Sequence, residues 1–112
     1  MSLRSGRRAA DALQALGYEV TVLDPDHTFV ARTRELEPAF VFIAMHGRGG
    51  EDGTLQDLLE ILHVPYTGSD VHASGRCLDK HSFKELLAGQ GLPTPEWHSF
   101  NREAFSEFGA AD

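Results

Sequence analysis

The feature that most constrains this chain is an uninterrupted apolar run over residues 40–45, which leads directly into a glycine-rich loop over residues 46–53. A strand that is apolar at every position has both faces buried, which is typical of a parallel sheet covered by helices. Thr54 and Asp57 then fit a helix capping box with Asp in place of Glu, ahead of a leucine stripe at helical spacing. The stretch therefore predicts a buried strand, a tight loop and a helix in immediate succession.

Helical and strand patterns alternate along the rest of the chain. They predict a helix capped by Ser5 and ended by Gly17, strands over 18–22 and 64–67, a helical turn over 33–36, a helix that starts at Asp79 or Lys80, and a short helix over 103–108. Residues 70–78 show no clear pattern. The order of these elements predicts an α/β fold with a parallel sheet.

Size and composition define a broad class. The chain has 112 residues, enough for one small domain, and 41% of them are hydrophobic, which is too many for a disordered protein. Its net charge is −7, so we expect no nucleic-acid or membrane partner. The sequence has no apolar stretch near the roughly 20 residues needed to span a bilayer and no secretory signal. The lone Cys77, predicted to be a small core residue, fits a reducing cytoplasm.

The glycine-rich loop is the strongest candidate for a binding site. It leaves the carboxyl end of a predicted strand and enters a helix N-terminus, where ligands bind in open α/β sheets. Glycines let a ligand approach the backbone, and free N–H groups at a helix start favour an anion. His46 could donate to a carboxylate or a phosphoryl oxygen, although a plain strand-to-helix turn remains the alternative. The loop is neither a Walker A sequence nor a Gly-x-Gly-x-x-Gly loop.

Three other charged positions, Glu51, Asp52 and Lys80, are candidate ligand contacts. Glu51 and Asp52 could bind a metal, but acids at a helix start more often complement its dipole. Lys80 is an unfavourable cation at a predicted helix start, which suggests an external anion, with a solvated lysine as the alternative. The histidines lack zinc-binding spacing, so no metal site is predicted in this chain.

Several motifs together closely resemble those of the D-alanine–D-alanine ligase family. They are residues 2–6 (SLRSG), 41–56 (VFIAMHGRGGEDGTLQ), 65–69 (PYTGS), 79–84 (DKHSFK) and 91–95 (GLPTP). The resemblance implies an ATP-grasp ligase that joins two D-alanines for peptidoglycan synthesis. It also implies that residues 1–97 form the N-terminal substrate-side domain, a Rossmann-like pre-ATP-grasp domain with a three-layer parallel sheet. Residues 98–112 would begin the connection to an ATP-grasp domain.

The resemblance also implies roles for individual residues. By motif position His46, with Gly47 and Gly50, would contact the carboxylate of the first D-alanine and its acyl phosphate, and Lys80 would bind ATP phosphates. ATP phosphorylates that carboxylate, and the amine of the second D-alanine attacks the acyl phosphate. ATP and Mg²⁺ are the implied cofactors, with the metal ligands outside this chain. The family also implies a homodimer through this domain.

One family element has no counterpart in this sequence. In the family, a first strand and a Gly-Gly-x-Ser/Thr-x-Glu loop precede the segment matching residues 2–6. That strand lies between the strands matching residues 19–23 and 41–45, so we expect a gap in the sheet and no ligase activity from this chain alone. Two alternatives are a free-standing module that binds an amino acid or a carboxylate without catalysis, and a regulatory half that pairs with a separate ATP-grasp chain.

Overall fold

A computed structural model describes residues 2–109, and this range contains six helices. They are α1 (Ser2–Ala15), α2 (Phe29–Leu36), α3 (Thr54–Ile61), α4 (Val71–Leu78), α5 (Lys80–Gly89) and α6 (Arg102–Gly109). The chain divides into two compact units, with the boundary after Leu78. The domain boundary expected near residue 97 stays a prediction. No helix among the described residues is long and apolar enough to cross a membrane.

The core of the first unit forms around α3. Leu55 and Leu59 lie on one face of this helix because residues four positions apart are neighbours on a helix surface, and both are buried together with Phe29 of α2. Partly buried side chains from the extended segments pack against this cluster, including Val41 and Ile43. The leucine stripe predicted for this helix is therefore confirmed as its core-facing side.

The apolar run over residues 40–45 is extended and pairs on one side only. The N–H of Val41 donates to Pro65 O at 2.8 Å, and Thr67 N–H donates to Val41 O at 3.0 Å, which makes a parallel bridge between Val41 and Tyr66. Ile43 N–H then donates to Thr67 Oγ1 at 2.9 Å. Because backbone groups of alternate residues point to opposite edges of an extended chain, residues 41 and 43 face this neighbour and residues 42 and 44 face away from it.

The other edge of this run opens onto a large apolar cavity. The cavity has a volume of about 1310 Å³, and its walls include residues 18–25, residues 36–45 and one face of α1. Tyr18, Val22, Phe40 and Phe42 are all exposed, although their side chains are large and hydrophobic. Residues 18–22, predicted as a strand, join no ladder among the described residues. Val41–Tyr66 is the one bridge in that range, so the predicted parallel sheet is represented there by a single pairing.

Several helix ends differ from the sequence-based predictions. Helix α1 begins at Ser2 and not after a cap at Ser5. The single turn predicted over 33–36 is the end of the longer α2, and the unpatterned residues 70–78 contain α4. Asp70 begins this helix by accepting from the N–H of Ala73 at 2.8 Å, a local contact that compensates for a weak apolar stripe.

Two predictions in the first unit are wrong. Thr54 is the first residue of α3 and not its cap, because Gly53 holds the cap position in a left-handed conformation with φ of 92°. A side chain at Gly53 would come within 2.7 Å of the Val71 carbonyl oxygen, so the start of α3 packs too tightly for a capping hydroxyl there. Cys77 is exposed on α4 and is not a core residue, because the buried side of α4 is the one that carries Ser74.

The second unit is organised around α5. The helix begins at Lys80, within the predicted start at Asp79 or Lys80, and Asp79 caps it by accepting from the N–H groups of His81 and Ser82 at 3.1 Å each. Lys84 donates to Thr94 Oγ1 at 3.1 Å and to Pro95 O at 2.9 Å. These bonds fold the extended segment that follows the helix back along α5. Helix α6 confirms the predicted short helix near residue 103.

Candidate ligand-binding loop

The loop over residues 46–53 is shaped by glycines in places where a side chain is disfavoured by conformation or by close contact. Gly47 and Gly49 have φ values of 73° and 88°, in the left-handed region that favours glycine. Gly50 is buried, and a side chain added there would overlap Met45, the last residue of the apolar run. The backbone of the loop therefore folds directly onto the end of the strand-like segment, as the sequence predicted.

The two acidic residues of the loop bind its own backbone. Glu51 Oε2 accepts from the N–H of Gly47 at 2.6 Å. Asp52 accepts from the N–H groups of Gly49 at 2.8 Å and Thr54 at 3.0 Å, and these hydrogen bonds, that from Gly49 first, lower the pKa of its carboxyl group. Both carboxylates are thus committed to ordering the turn. No group of three or more metal-ligating side chains occurs among the described residues.

His46 stands at the point where the apolar run meets the loop. Its side chain is 59% exposed, so the imidazole is accessible to a ligand and is not packed in the core. Nδ1 lies 3.7 Å from Glu51 Oε1. The structure therefore brings His46 and Glu51 together, with Gly47 between them in the turn.

Gln56 supports the loop from below, a role that the sequence analysis did not identify. Its side chain is buried on the apolar side of α3, and Nε2 donates to the Gly50 carbonyl at 2.8 Å. Oε1 has no hydrogen-bond partner among the described residues. The polar residue directly after Leu55 of the leucine stripe could have indicated this role from the sequence, because a buried amide needs a specific hydrogen-bond partner.

Lys80 lies in the second unit at the first position of α5. Its side chain is exposed, and its ammonium group has no hydrogen bond or ion pair with any described residue. Asp79 already occupies the free N–H groups at this helix start, and those hydrogen bonds, that from Ser82 first, lower the pKa of its carboxyl group. An anion bound here would therefore contact the ammonium group and not the helix N-terminus.

Comparison with known proteins gives consistent matches. Residues 25–69 match the family described as D-ala D-ala ligase N-terminus. The D-alanine–D-alanine ligase of Aquifex aeolicus is 48% identical over 103 residues, which cover 92% of this chain and 35% of the relative. The ligase of Anaeromyxobacter dehalogenans is 42% identical over 112 residues, which cover 100% of this chain and 36% of the relative.

Solved structures agree with these sequence matches. The crystal structure of the Bacillus anthracis ligase complexed with ATP superimposes with a TM-score of 0.75 and 31% identity, over 96% of this chain and 39% of that one. Fold and sequence thus agree on a class, the N-terminal region of ligases. The chain belongs to the D-alanine–D-alanine ligase family, which confirms the resemblance seen in its motifs. It spans about a third of the length of the curated relatives it matches.

Proposed function

We propose that this chain forms the substrate-side part of an ATP-dependent D-alanine–D-alanine ligase that acts in cytoplasmic peptidoglycan synthesis. The observation that carries this proposal is the loop over residues 46–53, which lies inside the family match and presents an exposed His46 at its start. The finer architecture belongs to the same proposal. In it, residues 18–23 and 40–45 are strands of a parallel, Rossmann-like sheet covered by helices on both faces, and the domain pairs as a homodimer.

His46 is the group we assign to the carboxylate of the first D-alanine and to the acyl phosphate formed from it. The N–H of Gly47 is taken by Glu51, and the N–H of Gly50 donates to Gly47 O at 3.2 Å. The imidazole is therefore among the donors of this loop that are left for a ligand, together with the exposed guanidinium of Arg48. Gly47 and Gly50 contribute by keeping the turn compact, so that a small amino acid can approach the backbone.

Lys80 is the group we assign to the phosphates of ATP. Its ammonium group is exposed and unpaired within residues 2–109, which suits an external anion. The Bacillus anthracis neighbour was crystallised with ATP. Mg²⁺ is not assigned to this loop, since Glu51 and Asp52 are both engaged by backbone N–H groups. The chemistry derived for this chain is binding and orientation of the substrate carboxylate and of phosphate.

A chimeric ligase tests this function directly. The 103-residue matching region of the Aquifex aeolicus ligase is replaced by the corresponding residues of this chain, and ATP-dependent D-alanyl-D-alanine formation is measured. We expect the chimera to be active and His46→Gln to lower its activity, because a charge-assisted hydrogen bond to a carboxylate is worth about 1.5–3 kcal/mol.

His72→Gln is the matched control, since His72 is an exposed histidine on α4 outside the loop. Its chimera should keep the parent activity. A folded chimera that binds D-alanine but forms no dipeptide would contradict the proposal and favour a binding module without catalysis.

A further inference from the structure

Glu51 contacts two different groups through its two carboxylate oxygens. Oε2 accepts from the N–H of Gly47 at 2.6 Å, and Oε1 lies 3.7 Å from Nδ1 of His46. Gly47 is the residue that directly follows His46, so one carboxylate hydrogen-bonds the backbone and lies within ion-pair distance of the ring at the same point of the turn. Asp52, the neighbouring acid, bonds to Gly49 and Thr54 and to no histidine among the described residues.

We infer that Glu51 is a positioning residue for His46, holding the imidazole by its Nδ1 side so that Nε2 faces the substrate. The inference rests on the function proposed above, in which His46 meets a carboxylate or an acyl phosphate. Both nitrogens of an imidazole can carry a proton, and a carboxylate beside one of them decides which does. With its proton on Nδ1 directed at Glu51, the ring keeps one orientation while Nε2 remains open to the ligand.

The exposure of both side chains makes this restraint necessary. The His46 and Glu51 side chains are 59% and 53% exposed, so packing alone does not fix either rotamer. The carboxylate itself is anchored by the short hydrogen bond from the N–H of Gly47. A second hydrogen bond joins the same two residues, since the N–H of Glu51 donates to Gly47 O at 2.9 Å. The anchored carboxylate then restrains the imidazole, which has no other polar contact among the described residues.

The same geometry would also suit a second role for Glu51, competition with the substrate for His46, and the two roles predict opposite effects of a Glu51 substitution on substrate binding. In that role the Glu51 carboxylate would occupy the place beside His46 that the substrate carboxylate needs. Removal of its charge would then strengthen substrate binding. A positioning residue predicts the reverse, because the substrate would meet an imidazole that samples several orientations.

Glu51→Gln separates these roles without removing the turn. The amide oxygen of glutamine can still accept from the Gly47 N–H, but it lacks the charge that orients the His46 ring. The matched control is Asp57→Asn, which removes the same charge from the exposed side of α3. Glu51→Ala removes both contacts and shows the size of the full effect.

Nuclear magnetic resonance of the chimeric ligase, with its histidine and glycine nitrogens labelled with 15N, supplies a readout independent of catalysis. The ring nitrogen shifts of His46 report which nitrogen carries the proton, and the amide shift of Gly47 reports its bond to the carboxylate. We expect Glu51→Gln to abolish the preference for a proton on Nδ1 while Gly47 keeps a hydrogen-bonded shift. Glu51→Ala should alter both signals, and Asp57→Asn should alter neither.

The chimeric ligase supplies the functional readout. Glu51→Gln should lower kcat/KM for D-alanine by roughly tenfold to a hundredfold, the range for a misplaced reacting group, with KM for ATP unchanged. An unaltered His46 tautomer, or a lower KM for D-alanine, would overturn the inference. If the unmutated chimera is inactive while the His46 signals respond as expected, the positioning role stands and the proposed function fails.

Discussion

A strand supplied to the apolar cavity should convert this chain into a much more stable protein. The cavity is lined by two extended segments, residues 18–23 and 40–45, whose facing edges carry no ladder with any part of residues 2–109. A strand in a covered sheet occupies about 160 Å³ per residue, given a strand spacing of about 4.8 Å, a rise of about 3.3 Å and layers about 10 Å apart. A cavity of about 1310 Å³ therefore accommodates roughly eight residues of strand.

The position of α1 shows how such a strand would connect. A side chain on Gly6 would lie 3.9 Å from Ala44 Cβ, so the first turns of α1 lie near the carboxyl end of the 40–45 segment. A strand that runs parallel to this segment would end at the same edge and enter α1 through a short loop. We therefore place the added strand ahead of Ser2, as six Val, Ile and Ala residues followed by a glycine-containing loop.

The expected gain follows from the groups that the strand would cover. Cross-strand hydrogen bonds at about 1 kcal/mol each and apolar burial at about 25 cal/mol per Å² together contribute roughly 15 kcal/mol. Ordering the added residues costs roughly 10 kcal/mol, which leaves a net gain of about 5 kcal/mol. For a domain of this size such a gain raises Tm by about 20 °C or more.

Thermal unfolding followed by circular dichroism measures this gain against a Gly/Ser extension of equal length. Amide hydrogen exchange supplies a local control, since Phe42 and Ala44 should gain protection while Val41 and Ile43, which already bond to the 64–67 segment, should change least. Equal melting temperatures for the two extensions would refute the reasoning. So would a chain without extension that melts as a stable monomer with protected amides at residues 42 and 44.

Three further predictions concern activity and pH. Purified chain alone should release no phosphate from ATP in the presence of D-alanine, and release that His46→Ala abolishes would contradict this. In the chimeric ligase, Lys80→Ala should raise KM for ATP more than KM for D-alanine, by the equivalent of about 1.5–3 kcal/mol, with Arg34→Ala on α2 as a control for lost charge. Because hydrogen bonds lower the pKa of Asp52 in the folded state, its contribution to stability is complete above pH 3.8 and is lost as pH falls through the lowered value. The free energy of unfolding should therefore fall less steeply with decreasing pH in Asp52→Asn than in the parent chain, as measured by denaturant unfolding at a series of acid pH values.

The sequence predicted the path of the chain around the candidate site better than it predicted the sheet. The strand-like run, the loop and α3 appear in the expected order, because apolar periodicity and glycine conformation are local properties. The start of α5 is set locally as well, and it falls within the predicted start at Asp79 or Lys80. The pairing of residues 18–22 was not predictable in the same way, because a ladder depends on a neighbour that can be distant in sequence or outside the chain.

The site residues show the same division. His46 was identified from its place at the end of an apolar run, and its exposure agrees with that role. The contact between Glu51 and His46 and the support of Gly50 by Gln56 depend on the exact turn of the loop, which single-residue preferences do not determine. The capping box at Thr54 failed for this reason, because tight packing of Gly53 against α4 outweighed a plausible local motif.

The surroundings of Lys84 have a consequence for chemical labelling. The chain contains two lysines, and they differ sharply in environment. Lys84 donates to Thr94 and Pro95 and lies 5.4 Å from the centre of the Trp97 ring, whereas Lys80 is exposed and has no such partner within the described residues. Of the two lysine side chains, an amine-reactive reagent used at low excess should therefore acylate Lys80 before Lys84, which directs a lysine-attached fluorophore to the position assigned to ATP.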